Sequence, residues 1–240
     1  MQPPMYSAAG GGVWSPLTVS ADFWYDANNT GSTHNVAGVI TTWDDLSGNA
    51  RHLTQAGSGG QVATLESNVK NSMPGVLFSV SAPNDAAVLA TTSPFSVSSP
   101  NTVVMALLGG STFVSPTNAT IWGAVTTFDQ AILLDSTRAS LYAGTAVTHI
   151  TGSDLSSSTP YTFYGQFNGS SSRGGVNGVD IGSNLNPGTG TLSSVNIQIG
   201  RAGGNFIAEM YMLELFCFPG VSNTDRDNAL TYLTGKWGAF

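Results

Sequence analysis

The stretch WDDLSGNARHLTQ, residues 43–55, concentrates a tryptophan, two adjacent carboxylates, a Ser-Gly-Asn turn and the basic pair Arg51-His52. The chain around it is poor in charge, with only 9% Asp, Glu, Lys or Arg. Two readings compete. Asp44 and Asp45 could face a metal or a ligand, or they could hold a loop together by accepting hydrogen bonds from nearby backbone N–H groups. Ser47, Gly48 and Asn49 favour a tight reversal, because glycine supplies positive φ and short polar side chains bond to local backbone. Trp43 offers one apolar anchor. The stretch therefore reads as a connector between early strands, with a calcium- or ligand-facing loop as the functional alternative.

Working outward, short apolar and β-branched runs alternate with Gly, Ser and Asn turns. Candidate strands cover residues 17–27, 36–43, 75–80, 102–108, 119–125, 131–134, 140–142, 159–167, 195–199 and 206–218. Many short strands without intervening helices predict a sandwich or barrel and exclude a doubly wound sheet. Asn177-Gly178 is a hairpin signal. The last run, IAEMYMLELFCF, is apolar on both parities apart from Glu209 and Glu214. One of its faces fills the core, and the other must meet a second layer, a loop or another protein. A helix follows over 223–237, with Ser222 and Asp225 at N-cap and N3 spacing and with Ala229, Leu230, Leu233 and Trp237 along one face.

With 240 residues the chain is long enough for one large all-β domain. Residues 1–16 hold three prolines and three glycines and read as a flexible arm ahead of a domain at 17–240. The arm lacks the basic start and apolar core of a secretory signal. No segment approaches the length of a membrane span, so membrane insertion is not expected. A net charge of −7 gives no reason to expect a nucleic-acid partner. Cys217 is the single cysteine, which excludes an intrachain disulfide and predicts a buried thiol.

Four blocks carry a likeness beyond composition: Trp24-Tyr25-Asp26-Ala27, residues 43–52, Asn71-Ser72-Met73-Pro74-Gly75-Val76-Leu77-Phe78, and Ile207-Ala208-Glu209-Met210 leading into residues 225–238. In this order they resemble the laminin-G-like, concanavalin A-like jelly rolls, in the form found in bacteriophage structural proteins and bacterial surface proteins. The resemblance implies an all-β, two-sheet antiparallel jelly-roll sandwich with a short C-terminal helix. It implies a noncatalytic virion surface component (capsid decoration, fibre or tail-associated protein), located on a virion or outside the cell. The alternative is a glycan-binding, lectin-like adhesin, with a glycoside hydrolase further behind. Partners would be virion proteins, copies of the chain itself, or a cell-surface glycan. Where the family often places a Gly-Asp-Asp-like turn after its third block, this chain has Ser-Val-Ser-Ala-Pro-Asn-Asp, leaving Asp85 as the displaced acid.

A hydrolase would need two carboxyls facing one cleft. Glu209 and Glu214 are the pair to test, and a bulge would have to bring them to one face. His34, His52 and His149 lack triad or zinc spacing. No catalytic residue is assigned and no cofactor is required. Calcium is the one ion that polar loops bearing Asp44, Asp45 and Asp85 could hold. Trp24, Trp43, Trp122 and Asn49 are the ligand-binding candidates. Pro3, Pro4, Tyr6, Trp14, Phe206, Met210 and Met212 are the assembly candidates.

Overall fold

The computed structural model describes residues 14–56, 60–82, 85–97, 99–111, 113, 119–124, 129–135, 137–151, 154–181, 185–200, 209–238 and 240. Among them, antiparallel strands form a β-rich sandwich, its 17 main strands joined in one hydrogen-bonded network, followed by a C-terminal helix. The centre is the final strand, Met210–Pro219. It pairs with Phe23–Asp26 and with Met73–Phe78 on one side and along its length with Asn101–Gly109 on the other. The last of these pairs in turn with Pro160–Phe167.

From Met212 to Phe218 both faces of the final strand are buried, and the reason lies in its register. Opposite Asn101–Gly109 the pairing steps from Ala106↔Glu214 to Leu107↔Met212, so Leu213 is an extra residue in a bulge. Residues on facing strands share a face when they are in register. Met212, with Leu107, therefore points to the side opposite Glu214. Met210, Met212, Leu215 and Cys217 are fully buried on one side, while Glu214, Phe216 and Phe218 lie buried on the other. The second face meets the helix and the start of the chain. Trp14 lies 5.9 Å from Phe216 and 5.5 Å from Tyr232, ring centre to ring centre.

These contacts correct three expectations. Met210 and Met212 are core residues covered within the domain, so they offer no assembly surface. Trp14 is likewise core, and Pro16, itself buried, begins a 3₁₀ turn, Pro16–Val19, so residues 14–16 belong to the folded unit. Pro3, Pro4, Tyr6 and Phe206 lie outside the described residues.

The helix spans Asn223–Trp237; the Ser222 hydroxyl accepts from the Asp225 N–H at 3.2 Å, and Gly238 ends it at φ +85°. Its buried face carries Ala229, Leu230, Leu233 and Trp237, as the spacing predicts. Cys217 is fully buried, and burial pushes its thiol well above the ordinary range. We expect no reaction with a thiol reagent at pH 8 until the fold opens. Stoichiometric labelling of the native protein within minutes would contradict this packing.

Candidate functional site

The stretch around Asp45 proves to be a pin. Asp45 is buried, and its carboxylate accepts from the Trp24 N–H at 2.9 Å, the Ser47 N–H at 2.9 Å, the Ser47 hydroxyl at 2.8 Å and the Arg51 N–H at 3.1 Å. Asn49 donates to the carbonyls of Asp22 and Ala21 at 2.9 and 3.2 Å. The Arg51 guanidinium meets the Asp22 carbonyl at 2.7 Å and stacks over Phe95 at 4.2 Å. Burial raises Asp22 above the usual carboxylate range, against the opposing pull of Arg51. Asp44 sits between His34, at 2.7 Å, and His52, at 3.1 Å.

This geometry does not fit calcium. Both Asp45 oxygens face hydrogen-bond donors, so a cation there would meet protons where it needs lone pairs. Among the described residues no group of three or more His, Cys, Asp or Glu could hold a metal. Asp85 pairs with Ala82 in a short hairpin, and its side chain lies outside the described part of the structure. We therefore expect EDTA to leave the unfolding midpoint unchanged. A drop of several degrees that added calcium reverses would overturn this.

The aromatic candidates also change role. Trp43 and Trp122 have no exposed surface and pack in the core, beside Tyr25 and Phe23 respectively. They are out of reach of any ligand. Trp24 is half-buried, and its indole N–H donates to Glu214 at 2.7 Å. Asn49 is exposed, but its amide is spent on the loop.

Glu214 is the centre of a buried polar cluster. It stands directly opposite Asp26 on the neighbouring strand, a like-charge pairing that is unfavourable by itself. Lys236, from the last helical turn, resolves the conflict by reaching Asp26 at 2.6 Å and Glu214 at 2.7 Å. Trp237 and Tyr232 complete the shell, donating to Glu214 at 2.8 and 2.9 Å. Burial, then the Glu214 charge, pushes Asp26 up to about 6, with Lys236 opposing. The bulge does put Glu209 and Glu214 on one nominal face. Glu214, however, is completely buried under the helix, so the pair cannot flank a substrate.

An open, polar concavity lies instead around Glu209. A groove of about 470 Å³ is lined by Glu66, Ser67, Asn68, Val69, Ser111 and Tyr211, among others. Register explains the assembly: Thr64, Leu77, Tyr211 and Leu108 stand side by side across four strands, all partly exposed on one face. Tyr211 forms the floor. The pairing of Thr64–Lys70 with Met73–Phe78 slips between Glu66 and Lys70, and Asn68 adopts φ +57°, so Ser67 and Asn68 stand out at one rim. At the other rim the Ser111 N–H and hydroxyl donate to Glu209 at 2.7 and 3.0 Å. Gly110 is required there, because a Cβ would fall 2.5 Å from the Glu209 side chain. Glu66 accepts from the Thr64 hydroxyl at 2.9 Å.

A second groove, of about 610 Å³, runs between the helix and the Asn177-Gly178 turn and includes Asp227, Leu230, Thr234 and Phe240. It has one carboxylate, on a helical wall of Asp227, Leu230, Thr231, Thr234 and Gly235, whereas the Tyr211 groove joins an aromatic floor to two carboxylates, an amide and several hydroxyls. Sequence reasoning missed Glu66, Asn68, Ser111 and Tyr211 as a group. The one available signal was Ser-Asn interrupting the strand TLESNVK, where a bulge could form.

No family model matches the chain, and no curated protein matches it in sequence. Solved structures do match in shape. Domain 4 of AbnA, a GH43 extracellular arabinanase from Geobacillus stearothermophilus, in complex with arabinotriose, superimposes with TM-score 0.65 at 14% identity over 88% of this chain and 97% of that one. The binding domain of Botulinum neurotoxin DC in complex with rat synaptotagmin II gives 0.63 at 12% identity, over 94% and 55%. An arabinofuranosidase complexed with arabinofuranosyl-alpha-1,2-xylobiose gives 0.60 at 17% identity, over 83% and 51%. The chain thus spans nearly all of the first and about half of the other two. At these identities the likeness shows the fold, a β-rich sandwich.

Proposed function

We propose that the chain is a noncatalytic recognition module that binds a neutral oligosaccharide in the Tyr211 groove. The observation that carries this reading is the juxtaposition of a partly exposed aromatic floor with a carboxylate and hydroxyls on each rim and an amide, Asn68, on one. A sugar ring offers an apolar C–H face to stack on an aromatic and hydroxyls to bridge such partners. Glu66 and Glu209 would repel a sialylated or uronic ligand, so a neutral glycan is favoured. Both carboxylates are partly exposed and already accept local hydrogen bonds, an arrangement suited to holding hydroxyls rather than protonating a leaving group. The presence of arabinotriose on a domain of the same fold and almost the same extent supports an oligosaccharide partner.

The finer reading is a concanavalin A-like two-sheet jelly roll displayed on a virion surface, and it rests on the order of the sequence blocks. It predicts that antibodies to the folded domain label intact particles; labelling confined to disrupted particles would oppose it. For the groove, a glycan array should return neutral oligosaccharides. Tyr211→Ala should weaken their binding about tenfold or more, the scale of one lost aromatic contact. Equal binding by both proteins would remove the groove from the function, and steady release of shortened products, abolished by Glu209→Gln, would make the module an enzyme.

A further inference from the structure

We propose that Lys236 and Asp26 close an intramolecular isopeptide bond, with Glu214 as the proton acceptor. The bond would tie the first described strand to the C-terminal helix. No role in glycan binding uses these three side chains, yet they are placed as reactants. Lys236 Nζ lies 2.6 Å from Asp26 Oδ2, which puts the nitrogen within roughly the 3–3.5 Å approach to Cγ that amide formation requires. The other Asp26 oxygen, Oδ1, accepts the Asn28 N–H at 2.9 Å, a backbone donor aimed where negative charge would develop.

The two carboxylates are not equivalent. Glu214 is held by four donors: Trp24 and Tyr232 on Oε1, and Trp237 and Lys236 on Oε2. That shell holds it in place as a base in contact with Nζ. Asp26 has only the Asn28 N–H and the lysine as partners among its described contacts, and its raised pKa gives it a protonated fraction near neutral pH. A protonated carboxyl is the better electrophile.

The step balances without a co-reactant. The Lys236 ammonium gives one proton to the Glu214 carboxylate, and the free amine attacks Cγ of the protonated Asp26. The C–N bond forms and a C–O bond breaks. The hydroxyl leaves as water, taking a proton the nitrogen sheds, and Glu214 ends protonated. Three ionisable groups with side-chain exposures of 4%, 6% and 0% become a neutral amide facing a neutral carboxyl. Burial, which is costly for the charges, therefore favours the product. The indoles of Trp24 and Trp237 and the ring of Tyr232 surround the site and exclude the water that would otherwise oppose condensation.

Intact mass spectrometry of the full chain under denaturing conditions tests this. The wild-type mass should be lower by one water than expected from Lys236→Arg and Asp26→Ala proteins made in the same host, after correction for each substitution. Trypsin should then release residues 1–51 joined through Lys236 to 227–240, since Lys236 in an amide is not cleaved. Glu214→Gln should abolish the water loss. A wild type of full mass, cut normally after Lys236, would overturn the proposal. Undiminished water loss in Glu214→Gln would overturn the role of Glu214. If that variant fails to fold, the wild-type branched peptide still decides the bond.

Discussion

Glu214→Ala is expected to lower stability by about 3–5 kcal/mol, the cost of removing one partner from a buried charged cluster. Glu214 faces Lys236, two indole N–H groups and a tyrosine hydroxyl, and truncation leaves the indoles and the hydroxyl in a cavity without this acceptor and Lys236 with Asp26 alone. The loss should fall on helix docking first, because three of the four donors come from the helix. Amide exchange should therefore rise across Asn223–Trp237 before it rises in Asn101–Gly109. At about 2–4 °C per kcal/mol for a chain of this size, the midpoint should drop by roughly 10 °C. A change under 1 kcal/mol in urea unfolding would mean that the cluster is incidental to the clamp.

Asp45→Ala is the second large effect, expected at about 3 kcal/mol. Four donors lose a charged acceptor at once, and hydrogen bonds to charged groups contribute about 1.5–3 kcal/mol each but add poorly when they share one carboxylate. Asp45→Asn should recover part of the loss, since its carbonyl oxygen can still serve one pair of donors while its NH₂ opposes the rest. Exchange at the Trp24 and Arg51 amides should accelerate in both variants. Unchanged protection of those amides would show that the loop is held by something other than Asp45.

Local chemistry made some of this legible in the sequence. The helix could be read because Ser222, Asp225 and the apolar spacing from Ala229 to Trp237 lie within one segment. The turn at residues 47–49 was legible for the same reason. The cluster of Asp26, Glu214 and Lys236 was not, because it joins residues 188 and 22 positions apart and exists only once the first strand, the last strand and the helix are docked. Trp43 was legible as an apolar anchor of its loop, whereas Trp122 carried no mark of its complete burial, and the apolar outer face of the final strand called for a cover without showing that Trp14 and the helix provide it. The groove depends on register shifts in two strand pairs, Glu66/Lys70 and Ala106/Leu107, and register is set by pairing partners far away in the chain.

The central claim, a glycan site floored by Tyr211, is tested most directly by amide chemical-shift mapping with a neutral oligosaccharide selected on the array. Saturable shifts should concentrate at residues 66–69, 108–111 and 209–211 and vanish in Tyr211→Ala. Shifts confined to the helical groove near Asp227 and Thr234, or a wild-type spectrum unchanged at saturating ligand, would contradict it.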